Sequence, residues 1–240
     1  MRDPGFFVGY FSKVPRELAI FNLGCGLALL ALFALVALSL GRGADAAAAG
    51  VAFGGEDAVL EGVVASAPYP TLRLPGGHVV LLAGEGKRGG QEAAGALEGR
   101  QAKASGYMLK RGDLDMLVLG ELSASPAAAA QLPAPQQLGR WRVSGEICDG
   151  KCAAGLMHPG TGLSHKACAS LCVRGGLPPV LVLGAPLEGR SYLLLADAGG
   201  GPAPEDARDL AARPVELEGV LERRGDLLLL RVDWPGARRL

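Results

Sequence analysis

Four cysteines and two histidines crowd into one stretch, CDGKCAAGLMHPGTGLSHKACASLCVRGGLPP, which runs from Cys148 to Pro179. The whole chain has only five cysteines and three histidines, so nearly all of its soft-ligand chemistry is concentrated there. Three chemistries fit these residue types. Cys148, Cys152, Cys168 and Cys172 can pair as two disulfides, nested or crossed, that staple a Gly-rich loop with little core of its own. Cys152, His165, Cys168 and Cys172, spaced C-x12-H-x2-C-x3-C, make an N/S donor set suited to zinc or copper, with Met157 and His158 as further candidate ligands. The third is nucleophilic catalysis by a thiolate. No C-x-x-C-H occurs, which argues against a covalently attached c-type haem.

Compartment weighs on that choice, because an oxidising space makes disulfides the default and a free thiol the exception. From Leu18 to Leu40 the chain reads LAIFNLGCGLALLALFALVALSL, 23 residues without a charge. At 1.5 Å per residue, such a helix covers a hydrocarbon core of about 30 Å. Arg2, Lys13 and Arg16 precede it, whereas Arg42 and Asp45 follow. The positive-inside rule therefore predicts a single-pass inner-membrane protein with a cytoplasmic N-terminus and a periplasmic body. A cleaved signal is the alternative, since Ala44-Asp45-Ala46 resembles a cleavage site, but the apolar run exceeds the usual h-region of about 7–15 residues. Cys25, between Gly24 and Gly26, reads as a packing residue of this helix. Lys plus Arg and Asp plus Glu both total 24, leaving no excess positive charge to attract nucleic acid.

The elements that must position the cysteines are short strands. Residues 1–17 read as a cytoplasmic and interfacial segment, 18–40 as the transmembrane helix, and 41–55 as a Gly/Ala linker. A first module at 56–123 and a second at 140–240 flank a Pro/Ala linker at 124–139. Gly106-Tyr107-Met108-Leu109-Lys110-Arg111-Gly112-Asp113-Leu114 matches Gly219-Val220-Leu221-Glu222-Arg223-Arg224-Gly225-Asp226-Leu227 at an offset of 219 − 106 = 113. The same offset sets His78-Val79-Val80-Leu81-Leu82-Ala83 on Ser191-Tyr192-Leu193-Leu194-Leu195-Ala196. Each module then reads as five short strands whose last hairpin turns on Arg-Gly-Asp, with Gly supplying a positive φ. Turn chemistry at equivalent hairpin tips, rather than integrin-type adhesion, explains the two triplets. The predicted fold is mostly β, two tandem OB-like small barrels behind a transmembrane helix. The opening strands match at an offset of only 145 − 62 = 83, so about 30 residues are inserted after the first strand of module two. That insertion, 146–179, is the cysteine segment. His78 reads as a surface residue, and Trp141 and Trp234 as a pair closing the second barrel.

Two local resemblances bear on function. Ser170-Leu171-Cys172-Val173-Arg174, preceded by His158-Pro159-Gly160-Thr161-Gly162, resembles the active-site stretch of the L,D-transpeptidases, with Leu171 where that family has Gly. The resemblance implies Cys172 as nucleophile and His158 as its base in a periplasmic wall enzyme. The segment as a whole, with its Asp-Gly-Lys-Cys start, His-Lys-Ala-Cys middle and Gly-Gly-Leu-Pro-Pro end, resembles uncharacterised bacterial membrane-anchored envelope proteins with a Cys/His-rich loop, which implies export. The chain carries no nucleotide loop, no paired carboxylates beside a titratable His and no serine elbow. The expected function is a non-enzymatic accessory or assembly protein of a membrane-associated complex, binding a metal, redox cofactor or partner protein through the loop. A Cys-dependent envelope enzyme and a disulfide-stapled structural subunit are the alternatives.

Overall fold

The computed structural model describes residues 14–48 and 55–240. Residues 1–13 and 49–54, which carry most of the expected interfacial segment and part of the Gly/Ala linker, lie outside the described residues. The chain forms two compact units, Met1–Ala49 and Gly50–Leu240.

In the first unit, helix α1 spans Arg16–Ala48. Its stretch Arg16–Leu40 is long and apolar enough to cross a membrane. The helix continues past Leu40 into the stretch expected to be linker, where the run of alanines favours helix over coil.

In the second unit, strands β1 (Glu56–Ala65), β2 (Thr71–Arg73), β3 (Val79–Ala83), β4 (Gln101–Arg111) and β5 (Leu114–Ala124) close a barrel in the order β1-β2-β3-β5-β4. A short helix, α2 (Gln91–Gly95), sits between β3 and β4. Every neighbouring pair is antiparallel except β3 and β5, which run parallel. That is the Greek-key order of an OB barrel. Strands β6 (Gln136–Asp149), β7 (Pro179–Leu187), β8 (Arg190–Ala196), β9 (Pro214–Arg224) and β10 (Leu227–Val232) repeat it as β6-β7-β8-β10-β9, closed by β6 on β9. A terminal strand, β11 (Arg238–Arg239), adds to β9. Even the parallel register agrees: Leu81↔Met116 in the first barrel answers to Leu194↔Leu229 in the second, with 194 − 81 and 229 − 116 both 113.

Strand alternation explains how these barrels pack. One set of side chains fills each interior: Val64, Leu72, Val80, Leu82 and Leu117 in the first, Ile147, Leu181, Leu193, Leu217 and Leu230 in the second. Trp141 and Trp234 both pack partly buried against the second interior, their indole N–H groups donating to the carbonyls of Leu138 and Ala196. The opposite faces of β3, β4, β5, β8 and β10 form a third cluster common to both barrels, with Leu81, Leu109 and Met116 from one and Leu194 and Leu229 from the other.

The two Arg-Gly-Asp turns clasp this junction. Gly112 and Gly225 take the positive φ of 58° and 63° that a tight hairpin requires. Each following aspartate reaches across to the other barrel: Asp113 accepts the Ser191 N–H at 3.0 Å, and Asp226 accepts the Val79 N–H at 2.8 Å. The carboxylates are thus engaged in holding the barrels together. His78, read from sequence as a surface residue, lies between Asp226 (2.7 Å from Nδ1) and Asp115 (2.9 Å from Nε2), a carboxylate pair beside a histidine that the sequence was expected to lack, because the two aspartates are 226 − 115 = 111 residues apart in the chain. Arg190 and Lys110 pair with the same two carboxylates.

Burial pulls the His78 pKa down, but hydrogen bonds and charge from Asp226 and Asp115 more than offset it, leaving it above the usual 6.5. A raised folded-state pKa gives stability that is complete below the unfolded value and lost as pH rises through the folded one. Replacing His78→Asn is therefore expected to lower the thermal midpoint more at about pH 5.5 than at about pH 8.5. Equal shifts at both pH values would show that the imidazolium adds nothing to the clasp.

Candidate functional site

Strand β6 ends at Asp149 and β7 begins at Pro179, and everything between them is the insertion expected from sequence. It folds as a π-helical turn (Cys152–Leu156), a 3-10 turn (Leu163–His165) and helix α3 (Lys166–Arg174). Asp149 starts it: its Oδ1 accepts the Cys152 backbone N–H at 2.9 Å, satisfying a donor at the mouth of the turn. Cys168 and Cys172 stand four residues apart on α3 and so share one face. That face meets Cys152, and the three sulfurs lie within 4.8 Å of one another. Cys152 and Cys172 are buried against the cluster shared by the two barrels, whereas Cys168 is half-buried.

Neither disulfide pairing is formed in this structure, where all five cysteines are free. The sulfurs of Cys152 and Cys168 are 4.0 Å apart, about twice the ~2.05 Å of a disulfide bond. The fourth loop cysteine, Cys148, turns away to donate to the Gly160 carbonyl at 2.6 Å.

His165 joins a different group from the one its spacing suggested. Its Nε2 is 3.2 Å from Asp149 Oδ2, and the buried carboxylate holds the ring beside Cys148 rather than against the three sulfurs. Met157 and His158 are both exposed.

A cation that sequence reading missed completes the sulfur site. Lys87, on the loop after β3 of the first barrel, places its ammonium 2.8 Å from Cys168 Sγ and 3.5 Å from Cys172 Sγ. That loop is held down reciprocally. Lys151, buried in the insertion, donates to the carbonyls of Gly84 (2.7 Å) and Gly86 (2.9 Å). Gly89 N–H bonds the Gly175 carbonyl at 2.9 Å, and the Gln91 amide bonds that of Gly176 at 2.6 Å. Arg111, from the first Arg-Gly-Asp turn, donates to Met157 O at 3.2 Å. The site is thus built by both barrels.

The electrostatics follow from these contacts. The Cys152 thiol donates to Cys172, which lowers the Cys172 pKa against the opposing effect of burial; Lys87 adds to the lowering. Cys152 moves up for the same reason, as donor and as a buried group near Asp149. Within this pair the negative charge is favoured on Cys172 and the proton on Cys152. Lys87 rises above its ordinary value because Cys168 and Cys172 hold its proton. Burial, with Asp149 and Glu146 nearby, pushes Cys148 well up, so it stays a neutral thiol.

Chemically, the arrangement presents three sulfur donors around a point, one face capped by an ammonium, with access from solvent on the Cys168 side. Beside it lies a buried S/O/N group of Cys148, Asp149 and His165. Both are groups able to hold a metal ion. Comparison with family models, with curated proteins and with solved structures finds no match to this chain.

Proposed function

We propose that this chain is a membrane-anchored accessory or assembly protein of the cell envelope that binds a soft or borderline metal ion, copper(I) or zinc, through Cys152, Cys168 and Cys172. The observation that carries the reading is the convergence of the three thiols. With a metal–sulfur bond of about 2.3 Å, ligand sulfurs stand roughly 3.8–4.0 Å apart in tetrahedral or trigonal sites, and Cys152 and Cys168 are separated by 4.0 Å. Thiolates select copper(I) and zinc by softness. A trigonal set needs no fourth donor, and Lys87, kept protonated, serves as countercharge rather than ligand.

The charge asymmetry around α1 supports a cytoplasmic N-terminus and an exported body. In that compartment a bound ion protects thiols that would otherwise oxidise. Likeness to bacterial membrane-anchored envelope proteins with a Cys/His-rich loop agrees with this placement, and a membrane-associated complex is the partner in keeping with the anchor.

The test is metal analysis of the purified full-length chain in detergent, paired with intact mass after thiol alkylation. Bound copper or zinc that shields Cys152, Cys168 and Cys172 from alkylation is the expected result. A metal-free chain with its four loop cysteines blocked by disulfides would exclude the site. The lowered Cys172 pKa favours one other reading, a Cys-dependent envelope enzyme resembling the L,D-transpeptidases with His158 as base. Selective fast alkylation of Cys172, unaffected by metal, would support that enzyme instead.

A further inference from the structure

We propose that Cys148, Asp149 and His165 form a second metal site, a structural one for a borderline divalent ion such as zinc, at the base of the insertion. Their donor atoms lie within 4.8 Å of one another and all three residues are buried. This inference stands on different residues from the three-thiol site and does not require it.

Three observations point to a ligand. First, His165 Nδ1 is buried without a hydrogen-bond partner, on a side chain only 2% exposed, while Nε2 faces Asp149 at 3.2 Å. A ring nitrogen and a carboxylate oxygen at that separation are spaced as two neighbouring ligands of one ion with bonds of about 2.0–2.2 Å, and the open Nδ1 leaves the ring no other hydrogen bond to hold it there. Second, Asp149 is fully buried, and among the described residues no Lys or Arg forms an ion pair with it. The nearby Lys151 ammonium is committed to the Gly84 and Gly86 carbonyls. Burying a carboxylate without a countercharge is costly, and such groups are usually paired or bound to a metal. Third, Cys148 is a buried thiol that donates to the Gly160 carbonyl. A dication takes the place of its proton, since metal binding and thiol deprotonation are coupled.

Charge and donor type then agree. One thiolate, one carboxylate and a neutral imidazole around a divalent ion sum to zero, the S/O/N set is one that zinc accepts, and a water would fill the fourth tetrahedral position. The role follows from position. Cys148 and Asp149 end β6, and His165 closes the 3-10 turn ahead of α3, so an ion here ties the start of the insertion to its middle. It also fixes Asp149, which holds the backbone of Cys152.

Cobalt(II) bound to the full-length chain in detergent tests this, because its charge-transfer and d–d bands report thiolate number and geometry. A variant lacking the three-thiol site, Cys152→Ser with Cys168→Ser and Cys172→Ser, is expected to retain one equivalent of cobalt with a weak single-thiolate band. Adding Cys148→Ser should remove that band, and zinc should raise the thermal midpoint of the first variant but not the second. His165→Asn, which keeps a polar group near Asp149, provides a milder version and should also abolish the equivalent; far-UV circular dichroism verifies folding. If the parent binds cobalt and the three-thiol variant binds none, the second site is overturned while the first stands. Retention in that variant, with loss on Cys148→Ser, supports the second site whatever becomes of the first. Cobalt bands indifferent to both Cys148→Ser and His165→Asn would overturn it.

Discussion

Replacing Cys168→Ser is expected to weaken copper(I) binding by about 100-fold or more, equivalent to roughly 3 kcal/mol, measured by competition with a chromogenic chelator. A hydroxyl is a hard donor that cannot supply the charge or polarisability of a thiolate, so the trigonal set falls to two sulfurs. Cys168 is the informative position because it is only half-buried and lies at the edge of the shared core. Cys152 and Cys172 are buried within that core, and changing either perturbs packing as well as ligation. The thermal midpoint of the metal-free Cys168→Ser variant should thus remain close to the parent's, separating ligation from folding. Undiminished affinity would remove the three-thiol site from consideration.

The difference between what could and could not be read from the sequence follows sequence separation. Hairpins are local, so Gly112 and Gly225 within equivalent Arg-Gly-Asp turns, and the shared 113-residue offset, were enough to indicate two OB-type barrels. The site is not local. Cys152, Cys168 and Cys172 are close in sequence, but the same spacing serves disulfides or metal ligation, and their convergence with sulfurs 4.0 Å apart is visible only in the structure. The spacing of His165 suits the sulfur set, yet the ring is captured by Asp149, a residue not singled out from the sequence. Lys87 lies 81 residues from Cys168 on the other barrel, in a Gly-rich loop with no periodicity. Its role depends on how two barrels dock, as does the contact of His78 with Asp226 across 148 residues. The glycines around Lys87 and after Arg174 are places where two backbones touch, with Gly89 against Gly176 and Gly175 against Lys87.

That close approach leads to the second large effect. A Cβ on Gly175 would stand 1.8 Å from the Lys87 carbonyl oxygen, with no flexible side chain in between to yield. Backbone must move, and overpacking of this kind costs typically about 1–3 kcal/mol. The loop after β3 is the element free to give way, since Gly175 caps α3 and its own N–H is bonded to Leu171. Gly175→Ala is therefore expected to lower the thermal midpoint and to lift Lys87 off the sulfurs. Cys172 is only 2% exposed beneath that loop, so its alkylation by a maleimide is limited by access and should become faster in Gly175→Ala. Lys87→Met leaves the loop in place and removes only the charge that favours the thiolate, so it should make the same reaction slower. Opposite signs in the two variants would mean that the first barrel acts on the sulfur site both as a cover and as a countercharge. Equal and parent-like alkylation rates in both would mean that it does neither.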